Sequence, residues 1–258
     1  MLNVIKNKAV IVTAGGSGIG RAIAERFHHY GARVYICDID EQAINATVSA
    51  NEGMLGGVAN VGDSDSVDVF FNKAIEQLGT VDVLVNNAGI AGPRKAIEDI
   101  SNEEWDQTIQ INLNGMFYCT RNVVPTMKKN RSGCIVNIST VNAKLGLPQR
   151  IPYVASKAGV VGFSYNLARE LGEFGIRSNT ILPGPVDTPR CRHLINLFAK
   201  DNNLAEEDAM SEYLKFQSLG ELIQPEDIGN TAVFLASDGG RRISGQELRV
   251  CGNMEWEG

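Results

Sequence analysis

No apolar run in this 258-residue chain approaches the roughly 18 residues that a membrane-spanning helix needs, and the run nearest the amino terminus, Ala9 to Val12, ends after four. Neither a signal peptide nor a membrane span is expected. Cysteine is scarce: Cys37, Cys119, Cys134, Cys191 and Cys251 are odd in number, widely spaced and without a Cys-x-x-Cys pair. This pattern indicates neither a disulfide framework nor a zinc site, and it fits a reducing cytoplasm. Positive charge is in deficit, since 24 Lys and Arg against 30 Asp and Glu leave a net charge of -6. Without a broad basic face, nucleic acid and anionic lipid are not expected partners. Internal repeats, low-complexity linkers and blocks of like charge are also missing, so nothing cuts the chain.

What remains is an ordinary folded composition, 43% apolar and 21% charged, which excludes disorder, collagen-like repeats and coiled coil. Glycine alone stands out: 27 of 258 residues, about one in ten against a usual share of about 7%.

Short β-branched runs predict strands at Lys8 to Val12, Arg33 to Cys37, Leu55 to Ala59, Val81 to Val85, Cys134 to Ser139, Ile176 to Ile181 and Gln246 to Val250. Amphipathic stretches predict helices at Ile19 to His29, Asp40 to Ala50, Ser64 to Leu78, Asn102 to Lys128, Pro152 to Gly172 and Pro225 to Ala236. Apolar strands alternating with helices imply right-handed crossovers, hence an α/β doubly wound, mostly parallel, seven-stranded sheet with helices on both faces. One domain over residues 1–258 is the simpler reading. The alternation fails between Pro183 and Gln224, where charged helical pieces run from Arg190 to Lys200 and from Ala205 to Gln217. An excursion of that length usually covers a ligand, so residues 185–224 are expected to form a helical substrate lid.

The first strand leads into Thr13-Ala14-Gly15-Gly16-Ser17-Gly18-Ile19-Gly20 and then a helix. In that order, backbone N–H groups and a positive helix end can face a pyrophosphate with no Cβ in the way. Such a loop also serves as a plain tight turn, so it decides little alone. Asp38 adds to it: it ends the second strand, 18 residues beyond Gly20, where a carboxylate accepts bonds from ribose hydroxyls and repels a 2′-phosphate. NAD(H) is therefore expected and NADP disfavoured. A helix cap is the competing use of Asp38, although Asp40 can fill that role instead.

Pro152-Tyr153-Val154-Ala155-Ser156-Lys157 opens a helix and sets Tyr153 and Lys157 at i and i+4 on one face. An ordinary tyrosine is only about one part in a thousand ionised at pH 7, so using it as a base calls for a depression of about three units, about 4 kcal/mol. A nearby ammonium is one means of supplying it. On spacing alone, a surface lysine beside an interfacial tyrosine remains the commoner explanation.

Taken together, the glycine loop, Asp38, Asn86-Asn87-Ala88-Gly89, Asn112-Leu113-Asn114-Gly115, Ser139-Thr140, Tyr153 to Lys157 and Asn179 to Thr188 resemble the short-chain dehydrogenase/reductase family in order and spacing. The resemblance implies a Rossmann-type fold and hydride transfer between NAD(H) and a secondary alcohol or ketone, with Tyr153 as general acid/base. It implies that Lys157 binds the nicotinamide ribose and lowers the tyrosine pKa, that Asn112 holds a relay water, and that Thr140 polarises the reacting oxygen. It places Gly15, Ser17, Gly18, Ile19, Gly20, Asp38, Ile39, Asn60, Val61, Asn86, Asn87, Ala88 and Gly89 along the cofactor. Pro183, Gly184, Val186 and Thr188 would flank the nicotinamide. A homotetramer built through the two long helices, with Trp256 near an interface, is also implied.

The chain departs from the family pattern at three points. Thr140 stands where serine is usual, 13 residues before Tyr153; strand alternation turns the neighbouring Ser139 to the opposite face and favours Thr140 as the hydroxyl. Ala14 replaces the first loop glycine, which is tolerable if its φ is negative and Gly15 or Gly16 takes the strained position. Asn60-Val61 replaces Asp-Val, and asparagine can still donate and accept. Around the expected substrate segments gather Arg94, Lys95, Lys144, Arg150, Arg190, Arg192 and His193. Solvated loop charges explain them blandly, but Arg94, Arg150 and Arg190 also suit an anionic substrate. Two further readings stay open: a reductase of 3-oxoacyl thioesters, and a non-catalytic NAD-binding sensor or scaffold.

Overall fold

The computed structural model describes residues 5–255. Its first half runs β1 (Ala9–Thr13), α1 (Gly18–His29), β2 (Arg33–Asp38), α2 (Glu41–Ala50), β3 (Leu55–Val58), α3 (Ser64–Leu78) and β4 (Val83–Asn86). Next come α4 (Asn102–Ile109), α5 (Gly115–Asn130), β5 (Gly133–Ile138), α6 (Asn142–Leu145), α7 (Ile151–Leu171) and β6 (Ile176–Pro183). The remainder is α8 (Pro189–Asp201), α9 (Glu206–Leu214), α10 (Pro225–Ala236) and β7 (Glu247–Val250). All six strand pairings are parallel, in the order β3-β2-β1-β4-β5-β6-β7. This is the doubly wound Rossmann-type sheet. The chain reverses its direction of travel between β1 and β4, and that switch point opens a crevice at the carboxyl ends of the strands.

Period-two alternation sorts the side chains of β1 onto two cores. Val10 and Val12 join Ile23 and Phe27 of α1 and Val233 of α10 on one face. Ala9 and Ile11 join Phe71 of α3 and Val123 and Met127 of α5 on the other. Asp40 caps α2, accepting from the N–H groups of Gln42 at 2.9 Å and Ala43 at 3.1 Å, so Asp38 is not needed as a cap.

Most boundaries fall within a residue or two of expectation, as where β4 runs Val83–Asn86 and β6 runs on to Pro183. β1 starts at Ala9 and includes Thr13, and β3 stops at Val58. The long stretch from Asn102 is two α-helices joined through a π-helical turn, Gln110–Asn114, and it runs on to Asn130. Residues 185–224 leave the sheet as α8 and α9, whose apolar sides pack on each other through Ile195, Ala199 and Ala209. Trp256 lies outside the described residues. All five cysteines are free and buried. Among the described residues no helix is long and apolar enough to cross a membrane.

Candidate active site

At the switch point lies a cleft of about 610 Å³, bordered by the glycine loop, the ends of β4, β5 and β6, the first turn of α7, and α8 and α9. This is within the usual range for a small-molecule or cofactor site. Of the residues proposed from sequence, Ser17, Gly18, Ile19, Gly20, Asn87, Gly89, Thr140, Arg150, Tyr153, Lys157, Pro183, Gly184, Val186, Thr188 and Arg190 all line it.

The loop is built around close backbone approach. A Cβ on Gly20 would meet the Ala14 carbonyl oxygen at 2.0 Å and Asn87 Nδ2 at 2.4 Å, so only glycine fits there. The expectation for Ala14 is overturned. Its φ is +49°, whereas Gly15 and Gly16 are not in the left-handed region and Gly18 is, at +54°. An alanine in that region costs about 1 kcal/mol or more. It is held there from another strand: Asn87 Nδ2 donates to the carbonyls of Thr13 at 3.1 Å and Ala14 at 3.2 Å. Thr13 Oγ1 in turn accepts from the N–H groups of Asn87 and Ala88, both at 3.0 Å. The Asn87 amide, expected along the cofactor, is thus spent on bracing the loop. Thr13, absent from the sequence-based set, is its counterpart. Asn86 is buried away from the cleft, donating to Thr120 Oγ1 at 3.1 Å and Asn137 Oδ1 at 2.8 Å.

α1 begins at the cleft with Ser17 at its N-cap, whose side chain makes no capping bond, and with no acidic residue in the first turn. Free N–H groups at a positive helix end fit a pyrophosphate. Asp38 closes the other side of the loop, where Oδ2 accepts from Gly16 N–H at 3.0 Å and Oδ1 from Ile39 N–H at 2.8 Å. Ile39 is 70% exposed beside it. Asn60 folds on itself, Oδ1 accepting from Gly62 N–H at 3.0 Å, next to the buried Val61. Gly15, Asp38, Ile39, Asn60, Val61 and Ala88 flank the cleft without lining it.

Tyr153 and Lys157 reach the cleft from α7, and Thr140 from just beyond β5. Ser139 and Thr140 diverge as alternation requires. Ser139 Oγ donates to the Lys157 carbonyl at 2.8 Å, while the Thr140 hydroxyl lies within reach of the Tyr153 phenol. Burial pushes the Tyr153 pKa up, and Arg190, the Thr140 hydroxyl and Arg150 work against it. The depression expected from Lys157 is therefore not found. Lys157 Nζ turns to the Ile138 carbonyl at 2.9 Å, and burial, with Arg190 secondary, drops its own pKa to about 8.

Asn112 sits in the π-helical turn, and both polar atoms of its side chain are bonded. Nδ2 donates to the Ile90 carbonyl at 3.0 Å and Ser156 Oγ at 2.9 Å, and Oδ1 accepts from Ile90 N–H at 2.7 Å. It ties the loop after β4 to α7 and packs the wall that a Cβ on Gly89 would strike: Asn112 Oδ1 at 3.1 Å and Lys157 Nζ at 3.2 Å.

The basic residues divide sharply. Arg94 does not reach the cleft; it pairs with Asp201 of α8 at 3.1 Å, which corrects its assignment as a substrate residue. Lys95 pairs with Glu104 at 2.6 Å, Lys144 with Glu247 at 2.9 Å, and Arg192 with Asp187 at 2.6 Å. Arg150 and Arg190 line the cleft. Tyr213 of α9, which sequence reading missed, also enters it, and burial raises its pKa to about 12. Its only sequence signal was that it is the one aromatic residue of α9.

A family model described as enoyl-(acyl carrier protein) reductase matches residues 13–254. The chain is 40% identical over 254 residues to (2S)-((R)-hydroxy(phenyl)methyl)succinyl-CoA dehydrogenase subunit BbsD of Thauera aromatica, covering 96% of each. This chain belongs to the short-chain dehydrogenase/reductase family. It is an oxidoreductase of that family, 36% identical to the 3-oxoacyl-(acyl-carrier-protein) reductase FabG of Thermotoga maritima, over 97% of this chain and 98% of the relative. A variant of actinorhodin polyketide ketoreductase with NADPH superposes on this short-chain dehydrogenase/reductase with a TM-score of 0.90 at 32% identity, covering 95% of this chain and 96% of the other.

Proposed function

We propose that the protein interconverts a secondary alcohol and a ketone with NAD(H). The observation that carries this reading is the meeting of Thr140 and Tyr153 on one wall of the cleft, with Lys157 buried behind them. Bound NAD(H) supplies or takes up the hydride. Tyr153 gives its proton to the oxygen as the ketone is reduced and takes it back in oxidation. The Thr140 hydroxyl donates to the same oxygen while charge develops on it. Lys157, whose pKa falls to about 8, holds ribose hydroxyls. Asn112 acts through position: with its amide bound to Ile90 and Ser156, a relay water would rest on its remaining lone pair or its main-chain carbonyl. Residues 185–224 serve as the substrate lid of the single catalytic domain.

NAD(H) rather than NADP(H) is supported by charge around the loop. Asp38, Asp40 and Glu41 are acidic, and positions 14–18 and 39–43 contain no lysine or arginine. A 2′-phosphate there would meet three carboxylates and no cation. Asp38→Ala should lower the preference for NADH over NADPH by about tenfold or more, read as the ratio of kcat/KM values. An unchanged ratio would show that Asp38 does not read the ribose.

A substrate screen following NADH absorbance in both directions tests the activity itself. The names of the Thauera and Thermotoga relatives favour a second reading within it, a 3-hydroxyacyl or 3-oxoacyl thioester as substrate. The screen should therefore pair such thioesters with simple ketones. Exposed Trp105, Phe117 and Tyr165 on α4, α5 and α7 support the homotetramer implied by the family, which sedimentation equilibrium would measure.

A further inference from the structure

The cleft is lined by three cationic side chains, Lys157, Arg150 and Arg190, and by no aspartate or glutamate. In a chain with six more acidic than basic groups this is a marked local reversal. Lys157 is accounted for by the proposed chemistry, but the two arginines are not. Arg150 precedes α7 and is fixed by one bond, Nη1 donating to the Gly92 carbonyl at 3.0 Å, which leaves the rest of its guanidinium fork for another partner. Arg190 stands in the first turn of α8, so the two come from separate elements of the cleft lining. Among the described residues neither has a carboxylate within 4.0 Å, in contrast to Arg94, Lys95, Lys144 and Arg192, which are all paired.

Two features make this arrangement unfavourable by itself. The first turn of α8 holds Arg190 and Arg192 and no acid, placing positive charge at the positive end of a helix. Arg150 and Arg190 also lie close enough to repel: burial lowers the Arg150 pKa, and the charges of Arg94 and Arg190 lower it further. An anion between the two would relieve both costs. Its distance from the reacting oxygen is bounded, because both guanidiniums are near enough to Tyr153 to favour its ionised form.

We infer that Arg150 and Arg190 form a carboxylate-binding subsite, one guanidinium from the start of α7 and one from α8, for a substrate whose anionic group lies a few bonds from its carbinol or carbonyl carbon. The inference rests on the hydride-transfer reading for its placement, but not for its test. Arginine offers planar, paired donors suited to a carboxylate, and α8 brings one of them in with the lid. The same chemistry could serve the cofactor pyrophosphate, and the experiment separates the two sources.

Calorimetry of malonate, a dicarboxylate without a ketone, would be run on the NADH-loaded wild type and on Arg150→Gln and Arg190→Gln, beside NADH titrations of each. The expected result is malonate binding that weakens about tenfold or more in both variants, with the NADH dissociation constant unchanged. Kinetics of acetoacetate and its methyl ester, which share a ketone and differ in charge, should show a loss of kcat/KM in the variants that is about tenfold or more greater for the acid than for the ester. Malonate binding absent from the wild type, or equal in all three proteins, would overturn the subsite. Weakened NADH binding in place of weakened malonate binding would assign the arginines to the cofactor and overturn it as well. Reduction of neither ketone, with malonate behaving as expected, leaves the subsite standing and counts against the hydride-transfer reading alone.

Discussion

Tyr153→Phe should lower kcat by about a factor of 10³ while leaving the NADH dissociation constant within about twofold of wild type. The ring, and with it the packing of the first turn of α7, is retained; what disappears is one hydroxyl whose neighbour is the Thr140 hydroxyl. Because burial holds the phenol protonated in the chain alone, the residue stands ready as an acid for ketone reduction. In the oxidative direction it must first lose its proton, and Arg190, Thr140 and Arg150 favour that loss. Wild-type activity in oxidation should accordingly rise with pH, and the variant should show no such dependence. Fluorescence titration of NADH with steady-state rates in both directions checks the prediction. A variant retaining a tenth or more of the wild-type rate would remove Tyr153 from the chemistry.

The sheet and its helices were legible because each rests on a local pattern: short apolar, β-branched runs such as Ala9 to Val12, and helical spacing such as that of Ser64 to Leu78. Helical spacing put Tyr153 and Lys157 on one face, whereas the place of Thr140 beside them was implied by the family resemblance and not by any local period. What could not be read were states set by distant partners. Ala14 adopts a positive φ because Asn87, 73 residues further on, holds its carbonyl. Arg94 and Arg190 look alike in sequence, yet Asp201, 107 residues beyond Arg94, neutralises one and not the other. The same limit explains the tyrosine. Spacing puts Lys157 on its face of the helix, but only the fold shows that the ammonium turns to the Ile138 carbonyl at 2.9 Å while Arg190 and Arg150 supply the field.

Lys157 makes the second large prediction, on stability. The side chain is only 5% exposed and its pKa falls from the usual 10.5 to about 8, chiefly through burial. Between those two values the unfolded chain holds this proton and the folded chain does not, so the unfolded state binds more protons and folding stability rises with pH. The burden of burying the ammonium is present in full below the folded value, about 3 kcal/mol, and vanishes above the unfolded one. Lys157→Met has no such titration. Wild-type stability should therefore gain on the variant by about 2–3 kcal/mol between pH 7 and pH 10, with the difference in the midpoints of urea unfolding as the readout. The variant should be inactive at both values, since it lacks the ammonium proposed to hold the ribose hydroxyls. A stability difference that stays flat across this range would mean that the ammonium is better solvated or paired than its surroundings indicate. A difference that closes while activity is lost would show a buried charge kept at a cost to the fold because the reaction uses it.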